Sequence, residues 1–263
     1  MENIKSVSIL TITQYSRLHL FDNLINMVNS QTYTNIIEWV IVEGSKNKRD
    51  AQLNKQNIFS NIHKSKISIK YVEYAQTVFA EKFNAGNNAT CGEIIVVMED
   101  DDFYPSTRVS HAVSKLVNQT DVDLILIAGC SPVFTFDLKT NEFGQFKIIL
   151  PTHSLNNSFA YYREYLLNNN FYGSSYSIEP TFTNNYKNKM IQLDPCLTII
   201  HTFHDFNTIN KYQYMETWQS GGMLTKIEHF PLDEKEKYNF YLLVDTINAQ
   251  TEINVVSKNL KYK

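Results

Sequence analysis

The segment Gly92-Glu93-Ile94-Ile95-Val96-Val97-Met98-Glu99-Asp100-Asp101-Asp102-Phe103-Tyr104-Pro105 joins a short apolar run to four consecutive acids. Residues 94–98 are all apolar and rich in β-branched side chains, and so short a run predicts a strand that is buried on both faces. Four consecutive acids follow it, and they cannot lie inside the core because an unpaired buried carboxylate is too costly to desolvate. We therefore expect the acids at the carboxyl edge of the sheet, where open α/β sheets bind their ligands.

The close spacing of these carboxylates indicates a metal site. Such groups repel one another unless a cation holds them, and hard oxygen ligands suit Mg²⁺ or Mn²⁺. A plainer alternative is a solvated turn or the start of a helix, because Asp102 stands just ahead of Pro105. The apolar strand before the acids favours the metal site, which would hold a phosphate-bearing substrate.

Composition narrows the classes of partner. The chain of 263 residues has a formal net charge of −3, so no basic field indicates nucleic acid or an anionic membrane as a partner. The three cysteines, Cys91, Cys130 and Cys196, are widely spaced and form no CxxC motif, which predicts reduced thiols and a cytoplasmic protein. The sequence shows no signal peptide and no apolar run long enough for a membrane span, so we expect neither.

The first half of the chain alternates between strand-like and helix-like patterns. Apolar runs or alternation predict strands at residues 7–13, 36–42 and 67–72. Apolar residues at helical spacing predict helices at 17–30 and 79–90, and the polar stretch 46–57 predicts a loop that leads into a helix. Strands and helices in alternation are the signature of a parallel, doubly wound α/β sheet.

The second half of the chain has a more mixed pattern. We predict a strand at 123–129, a hairpin from 134–137 and 146–149, a segment at 159–161 that leads into a short helix at 163–168, and strands at 190–193 and 197–200. No repeat, low-complexity linker or domain break interrupts the chain, so we predict a single domain over residues 1–263.

Five segments of the chain occur in an order and spacing that are specific when taken together. They are an acid, Glu43, at the end of the second strand, and the segments 81–86, 92–105, 153–161 and 199–208. In that order they resemble the nucleotide-sugar-dependent glycosyltransferases of the GT-A fold, especially the family-2-like enzymes. The resemblance extends from about residue 5 to about residue 215.

The resemblance implies a GT-A-type α/β fold, with a Rossmann-like, mostly parallel central sheet flanked by helices and a mixed C-terminal half. It divides the domain into a nucleotide-binding half at 1–105, a half for the donor sugar and the acceptor at 106–215, and a C-terminal extension at 216–263. It implies a metal-dependent transfer, with Mn²⁺ or Mg²⁺, of a sugar from a nucleoside-diphosphate donor, above all a UDP-sugar. The acceptor would be a hydroxyl group of a glycan, a protein or a small molecule, and the transfer would invert the sugar.

The resemblance also implies roles for particular side chains on the donor side. Those implied to bind the nucleotide sugar are Thr11, Thr13, Glu43, Lys82, Asn84, Glu99 and Asp100. Glu43 would meet the uracil ring and Lys82 the diphosphate, although a solvated helix lysine is an equal alternative. Thr11 and Thr13 would contact the base or ribose, and both are also ordinary strand formers.

The implied metal ligands are Asp101, Asp102 and His204. The register of the acids stays open, because family alignment selects Glu99 and Asp101, whereas the simpler Asp-x-Asp pattern selects Asp100 and Asp102. His204 follows a strand-like run, and an imidazole can complete an oxygen-rich sphere around Mn²⁺. A hydrogen-bonded loop histidine is the alternative for this residue.

An inverting transfer needs a general base on the side of the acceptor hydroxyl. Relatives often place an acidic pair in this region, and the chain offers one acid there, Glu179, directly before Pro180. Proline is tolerated at the start of a helix, so we predict Glu179 in a first helical turn and assign it as the base. An acid that only caps the helix is the alternative.

Two rival functions stay open, and departures from the family pattern suggest the first of them. Phe83 stands where many relatives have Arg, Glu99 where they have Asp, and Ile178 where a second acid is common. These changes allow a degenerate, non-catalytic protein that binds sugar nucleotides or is purely structural. Nucleotidyl transfer also combines acids, Mg²⁺ and a parallel sheet, but the sequence has no Gly-rich phosphate loop.

Overall fold

The computed structural model describes residues 4–73, 78–120, 123–173, 177–208 and 222–260. Its first half confirms the predicted alternation of strands and helices. The strands are β1 (Val7–Thr13), β2 (Ile36–Glu43), β3 (Ile69–Val72) and β4 (Ile94–Val97). The helices are α1 (Phe21–Asn29), preceded by a 3-10 turn at Tyr15–Leu20, α2 (Lys48–Asn61) and α3 (Phe79–Ala89).

The second half of the chain consists mostly of short elements. They are α4 (Arg108–Val117), β5 (Ile127–Gly129), β6 (Phe134–Asp137), β7 (Glu142–Phe146), β8 (Ala160–Tyr162), a 3-10 turn at Arg163–Leu167, α5 (Glu179–Phe182), β9 (Ile191–Gln192) and β10 (Ile200–Phe203). Near the C-terminus follow β11 (Gly222–Thr225) and the long helix α6 (Glu234–Leu260).

Three predicted strands of this half have the wrong bounds. The strand predicted at 123–129 is confirmed only for its last three residues, Ile127–Gly129. The hairpin of β6 and β7 is confirmed, but its second strand begins at Glu142, because Asn141 takes a left-handed φ of 59° and turns the chain there. The strand predicted at 197–200 is wrong for most of its length. Asp194 accepts a hydrogen bond from the N–H of Cys196 (2.9 Å) and starts a 3-10 turn, so that β10 begins only at Ile200.

A seven-stranded sheet in the order β3-β2-β1-β4-β8-β5-β9 forms the middle of the protein. Its neighbouring strands are parallel except beside β8, which runs antiparallel to both β4 and β5. Strands β1 and β4 are buried along their whole length, as strands covered by helices on both faces must be. The predicted α/β class, with a mostly parallel central sheet flanked by helices, is confirmed.

A second, four-stranded sheet in the order β10-β6-β7-β11 packs with helix α6 onto the same core. The ring of Phe240 in α6 lies edge to face on Phe103 (5.6 Å between centroids) and on Phe136 (5.3 Å). Glu236 accepts hydrogen bonds from the N–H and the hydroxyl of Ser106, each at 2.7 Å. The predicted boundary between residues 215 and 216 falls in 209–221, which lies outside the described residues.

The register of the central strands brings three strand ends together. Leu10 of β1 pairs with Val97 of β4, and Thr13 of β1 pairs with Glu43 of β2. Gly44 follows at this edge, where a Cβ would lie 2.6 Å from the carbonyl oxygen of Thr13, so the close approach of the two chains requires a glycine. The acids after β4 therefore stand at the carboxyl edge of the sheet, where they were predicted.

The cysteines and the helices were the subject of two further predictions. The thiols of Cys91, Cys130 and Cys196 are all free. Within the described ranges, no helix combines the length and the apolar character that crossing a bilayer requires. The cytoplasmic location stays a prediction.

Candidate active site

Three of the four acids after β4 converge on one point. Glu99, Asp101 and Asp102 each offer a carboxylate oxygen, and these atoms all lie within 4.8 Å of one another. Asp101 and Asp102 are buried and Glu99 is half-buried. An oxygen-only donor set of this kind fits Mg²⁺ or Mn²⁺. Asp100 is not part of this group, which therefore contains both acids of the register Glu99 and Asp101 but only one acid of the register Asp100 and Asp102.

The carboxylate of Asp102 accepts three hydrogen bonds from the protein. Its Oδ1 accepts hydrogen bonds from the N–H of Thr202 and from Nδ1 of His201, both at 2.9 Å, and its Oδ2 accepts one from Nδ2 of Asn157 at 2.7 Å. A carboxylate has about four lone-pair positions, so Asp102 has room for at most one contact to a metal. The partners come from three separate segments of the chain, and for this reason sequence reasoning missed the role of Asn157 and His201.

Arg17 is a buried cation that sequence reasoning also missed. It lies in the 3-10 turn after β1, and its Nη1 is 2.9 Å from Oδ1 of Asp100 and 2.6 Å from Oδ2 of Asp101. Burial lowers the pKa of Arg17, but the charges of Asp100 and Asp101 outweigh burial and raise it. Burial raises the pKa of Asp100 to about 7, although Arg17 opposes this. The sequence indicates Arg17 only by its position, since it is a cation shortly after β1, a strand that ends at the edge of the sheet where ligands are expected.

His204 lies beside Asp101, as the predicted metal site requires, and its role as a metal ligand stays a prediction. Its Nε2 is 3.6 Å from Oδ2 of Asp101, and its Nδ1 accepts a hydrogen bond from the N–H of Phe206 (3.1 Å). Nε2 also lies 2.9 Å from Nδ2 of Asn207, so both ring nitrogens contact a nitrogen donor in this conformation. Asn207 orients the histidine as predicted, because it accepts from the N–H of His204 (2.8 Å) and donates to Oδ2 of Asp101 (3.0 Å).

A small, enclosed cavity of about 130 Å³ lies beside the acids. Its lining includes three cations, Arg17, Lys46 and Lys82, and the polar residues Thr13 and Thr208. Lys82 is only 8% exposed and donates to the carbonyl oxygen of Gly44 (2.7 Å), so the alternative of a solvated helix lysine is wrong. Burial lowers the pKa of Lys82, and Glu43 partly offsets this. The cavity is chemically suited to an anion.

Glu43, the acid predicted to meet a uracil ring, is 2% exposed and engaged inside the protein. One oxygen accepts from the N–H of Ser45 (2.7 Å), and the other accepts from Nδ2 of Asn54 (2.8 Å) and from the hydroxyl of Tyr71 (2.6 Å). Burial, together with the hydrogen bond to Glu43, raises the pKa of Tyr71. Glu43 thus stabilises the end of β2, which forms one wall of the cavity.

Two other residues that were predicted to bind the donor substrate form hydrogen bonds elsewhere in the fold. The hydroxyl of Thr11 donates to the carbonyl oxygen of Met98 (2.6 Å) and accepts from Nε1 of Trp39 (2.9 Å). The amide of Asn84 donates to the carbonyl oxygen of Phe171 (2.7 Å) and accepts from its N–H (3.0 Å). Neither residue lines the cavity, so this geometry gives them packing roles and adds no support to donor binding.

Glu179 is the first residue of α5 and is followed by Pro180, as predicted. It is 8% exposed, and its oxygens accept long hydrogen bonds from the N–H of Asn156 (3.3 Å) and the hydroxyl of Ser177 (3.4 Å). Burial raises the pKa of Glu179. The side chain of Asn156 donates to Oε1 of Glu99 (2.7 Å), so one residue that was not predicted contacts both the acid cluster and the candidate base.

Comparison with solved structures identifies the fold. The chain is similar to the mannosyltransferase PcManGT from Pyrobaculum calidifontis in complex with GDP-Man and Mn²⁺, with a TM-score of 0.56 and 14% identity over 97% of this chain and 76% of that one. It is also similar to S. aureus TarS 1-349, with a TM-score of 0.51 and 14% identity over 93% and 71% of the two chains. For the same TarS region in complex with UDP-GlcNAc the TM-score is 0.53, at 14% identity over 77% and 60%.

Sequence comparison adds no closer relative, because no protein-family model and no curated protein sequence matches the chain. The structural likeness shows that the chain has the fold of the GT-A glycosyltransferases, as the resemblance implied. At 14% identity the likeness shows the fold alone.

Proposed function

We propose that the protein is a metal-dependent glycosyltransferase that moves a sugar from a nucleoside-diphosphate donor, a UDP-sugar, to a hydroxyl acceptor with inversion. One observation carries the proposal: Asn156 joins Glu99 of the acid cluster (2.7 Å) to the candidate base Glu179 (3.3 Å). An inverting transfer needs these two functions side by side, one at the leaving diphosphate and one at the attacking hydroxyl. The solved structures with GDP-Man and Mn²⁺ and with UDP-GlcNAc support a nucleotide sugar as the donor.

On the donor side, Glu99, Asp101 and Asp102 would hold Mn²⁺ or Mg²⁺. Such an ion, when bound, neutralises the leaving nucleoside diphosphate as a Lewis acid. Lys46 and Lys82 line the neighbouring cavity and would attract the phosphate oxygens. Thr13 lines the same cavity and is placed to contact the nucleoside. These residues bind and orient the donor, whereas Thr11 and Asn84 support the strands around it.

On the acceptor side, Glu179 would remove the proton from the attacking hydroxyl. Its carboxylate is buried, and the hydrogen bonds from Asn156 and Ser177 are long, at 3.3 and 3.4 Å, so hydrogen bonding offsets the effect of burial only in part. Burial raises the pKa of Glu179, and a carboxylate with a raised pKa is a stronger base near neutral pH. The backbone N–H of Asn156 orients one oxygen, which fixes the base relative to the acids.

Thermal unfolding with UDP, GDP and CMP, each with and without Mn²⁺, tests the donor site. A ligand at about 100 times its dissociation constant adds about 2.7 kcal/mol of stability. At about 2–4 °C per kcal/mol, the midpoint should rise by about 5–11 °C with UDP and Mn²⁺ together. A shift with none of the nucleotides would refute the proposal. A shift would justify a screen of UDP-sugars and acceptors in which the release of UDP is measured.

A non-catalytic sugar-nucleotide-binding protein is the second candidate, and Arg17 is the observation that favours it. Because Arg17 already neutralises Asp100 and Asp101, the acids are compensated without a metal ion. If UDP binds but no pair of donor and acceptor releases UDP, this candidate replaces the first.

A further inference from the structure

Arg17 contacts one of the acids that would hold a divalent cation. Its Nη1 is 2.6 Å from Oδ2 of Asp101, one of the three acids whose oxygens converge, and 2.9 Å from Oδ1 of Asp100. All three side chains are nearly inaccessible to solvent, with Arg17 at 6% exposure. Like charges repel strongly at such distances where solvent does not screen them. A metal ion and the guanidinium of Arg17 therefore compete for Asp101.

Arg17 also has an unmet donor on another side. Its Nε is buried and finds no hydrogen-bond acceptor among the residues that the structure describes. Buried donors are nearly always satisfied, so this one indicates a missing partner. Arg17 lines the cavity of about 130 Å³ together with Lys46 and Lys82, and Nη2 donates to Thr208 on the same wall (3.0 Å). Phosphate oxygens match both the charge of this cavity and the fork of an arginine.

We infer that Arg17 is a further donor-binding residue with two alternative partners, Asp100 and Asp101 before the donor binds, and the donor diphosphate afterwards. The inference rests on the proposed function and deepens it. A metal ion alone has to displace Arg17 without giving it a new partner. With the nucleotide present, the displaced guanidinium has phosphate oxygens to bind. Metal and nucleotide should therefore bind cooperatively, and each should raise the affinity of the other by the same factor.

Mn²⁺ binding, followed by the loss of the electron paramagnetic resonance signal of free Mn²⁺, tests this inference without any turnover. Titrations would use the full chain with and without UDP, as wild type, Arg17→Met, Arg17→Lys and Arg163→Met. Methionine keeps much of the apolar length of the side chain and removes its charge, whereas lysine keeps the charge but loses the fork. Arg163→Met is the matched control, because Arg163 contacts Gly92 and Thr90, before β4 and away from the acids that follow it.

In the wild type, UDP should tighten Mn²⁺ binding by a factor in the usual allosteric range of about 5–150. Arg17→Met should bind Mn²⁺ without UDP more tightly than the wild type, by a factor in the same range, and UDP should then add less than in the wild type, because only the direct attraction between the ion and the diphosphate remains. Thermal unfolding gives a second reading: Mn²⁺ alone should raise the midpoint of Arg17→Met more than that of the wild type. Arg17→Lys should gain less in metal affinity than Arg17→Met, and Arg163→Met should match the wild type.

The inference is overturned if UDP tightens Mn²⁺ binding equally in the wild type and in Arg17→Met. That result would leave the proposed function standing, because metal and nucleotide would still bind. If no variant binds Mn²⁺ with or without UDP, the metal-dependent function fails and this inference fails with it. If Arg17→Met does not fold, Arg17→Lys decides, and an affinity for Mn²⁺ equal to that of the wild type would refute the two-partner role.

Discussion

Asp102 should contribute more to the stability of the fold than any neighbouring acid, and Asp102→Ala tests this. The side chain is fully buried, and its carboxylate accepts hydrogen bonds from Thr202, Asn157 and His201 at 2.7–2.9 Å. The substitution takes this acceptor away from three donors at the point where β10 meets the segment after β4, although Nδ2 of Asn157 keeps its contact with Nδ1 of His201 (2.7 Å). A metal ligand that was merely solvated could be removed without such an effect.

The expected loss follows from these three contacts. Each buried donor left without an acceptor costs about 1–3 kcal/mol, and water that enters the vacated space reduces the cost, so we expect a loss of about 3–6 kcal/mol. For a chain of this size, about 2–4 °C per kcal/mol translates this into a fall of at least about 6 °C in the unfolding midpoint. Asp101→Ala should lower the stability less, because Arg17 keeps its contact with Asp100 (2.9 Å), although Asn207 loses one acceptor.

The assay is thermal unfolding of Asp102→Ala, Asp101→Ala and Asp205→Ala without ligand, and then with UDP and Mn²⁺. Asp205 is the control, because it is an exposed acid just after β10 that forms a surface ion pair with Lys139 (3.2 Å), and such pairs contribute about 0–1 kcal/mol. Both Asp101→Ala and Asp102→Ala should lose the shift with UDP and Mn²⁺. A midpoint for Asp102→Ala within about 2 °C of the wild type would refute the structural role of this carboxylate.

Two further predictions concern the candidate base and the residue that orients it. Burial raises the pKa of Glu179 in the folded state, so its contribution to stability is full below the unfolded pKa and is lost as the pH rises through the folded pKa. Glu179→Gln removes the proposed base and should abolish turnover. The variant should unfold at or above the wild-type midpoint near pH 8 and lose that advantage towards pH 4. A midpoint clearly below that of the wild type near pH 8 would contradict this. Asn156→Ala should lower turnover and weaken UDP binding with Mn²⁺, because Glu99 loses its 2.7 Å contact with Asn156. The unfolding midpoint should move by less than about 2 °C, because Asn156 is only half-buried. An unchanged kcat/KM for the donor would contradict the role assigned to Asn156.

Local sequence patterns predicted the elements that build the edge of the site. Strand β1 has the predicted bounds, Val7–Thr13, because seven consecutive buried positions leave a clear signal. The apolar run before the acids became β4, and Glu179 before Pro180 became the first turn of α5. In each case the information lies within a few adjacent residues, which is the range over which such patterns are reliable.

Contacts between distant segments could not be predicted in this way. Asp102 and Thr202 are 100 positions apart in the sequence, and Arg17 and Thr208 are 191 positions apart. Nothing near Arg17 shows that its charge faces Asp100, because that depends on the pairing of β1 with β4. The same limit explains Thr11 and Asn84, whose polar groups are used by neighbours that only the fold brings together.

The three departures that suggested a degenerate protein have structural reasons, and this weakens the case against catalysis. Phe83 is fully buried, with its ring 5.2 Å from that of Phe79 and 4.9 Å from that of Phe171, so an arginine here would be buried in an aromatic cluster. Lys82, the residue before it, places a cation in the cavity instead. Ile178 is also fully buried, and a second acid there would be costly to desolvate.

Glu99 is the one departure that lies among the site residues, and its extra methylene group extends the reach of its carboxylate. The longer side chain keeps an oxygen among those of Asp101 and Asp102 and lets it accept from Asn156 at 2.7 Å. Glu99→Asp would restore the family pattern but shorten the reach to Asn156, the residue that also contacts Glu179. If the departures mark lost function, Glu99→Asp should be neutral or improve UDP binding with Mn²⁺; if Glu99 is adapted to Asn156, the substitution should weaken it. The second result is the one that this geometry predicts.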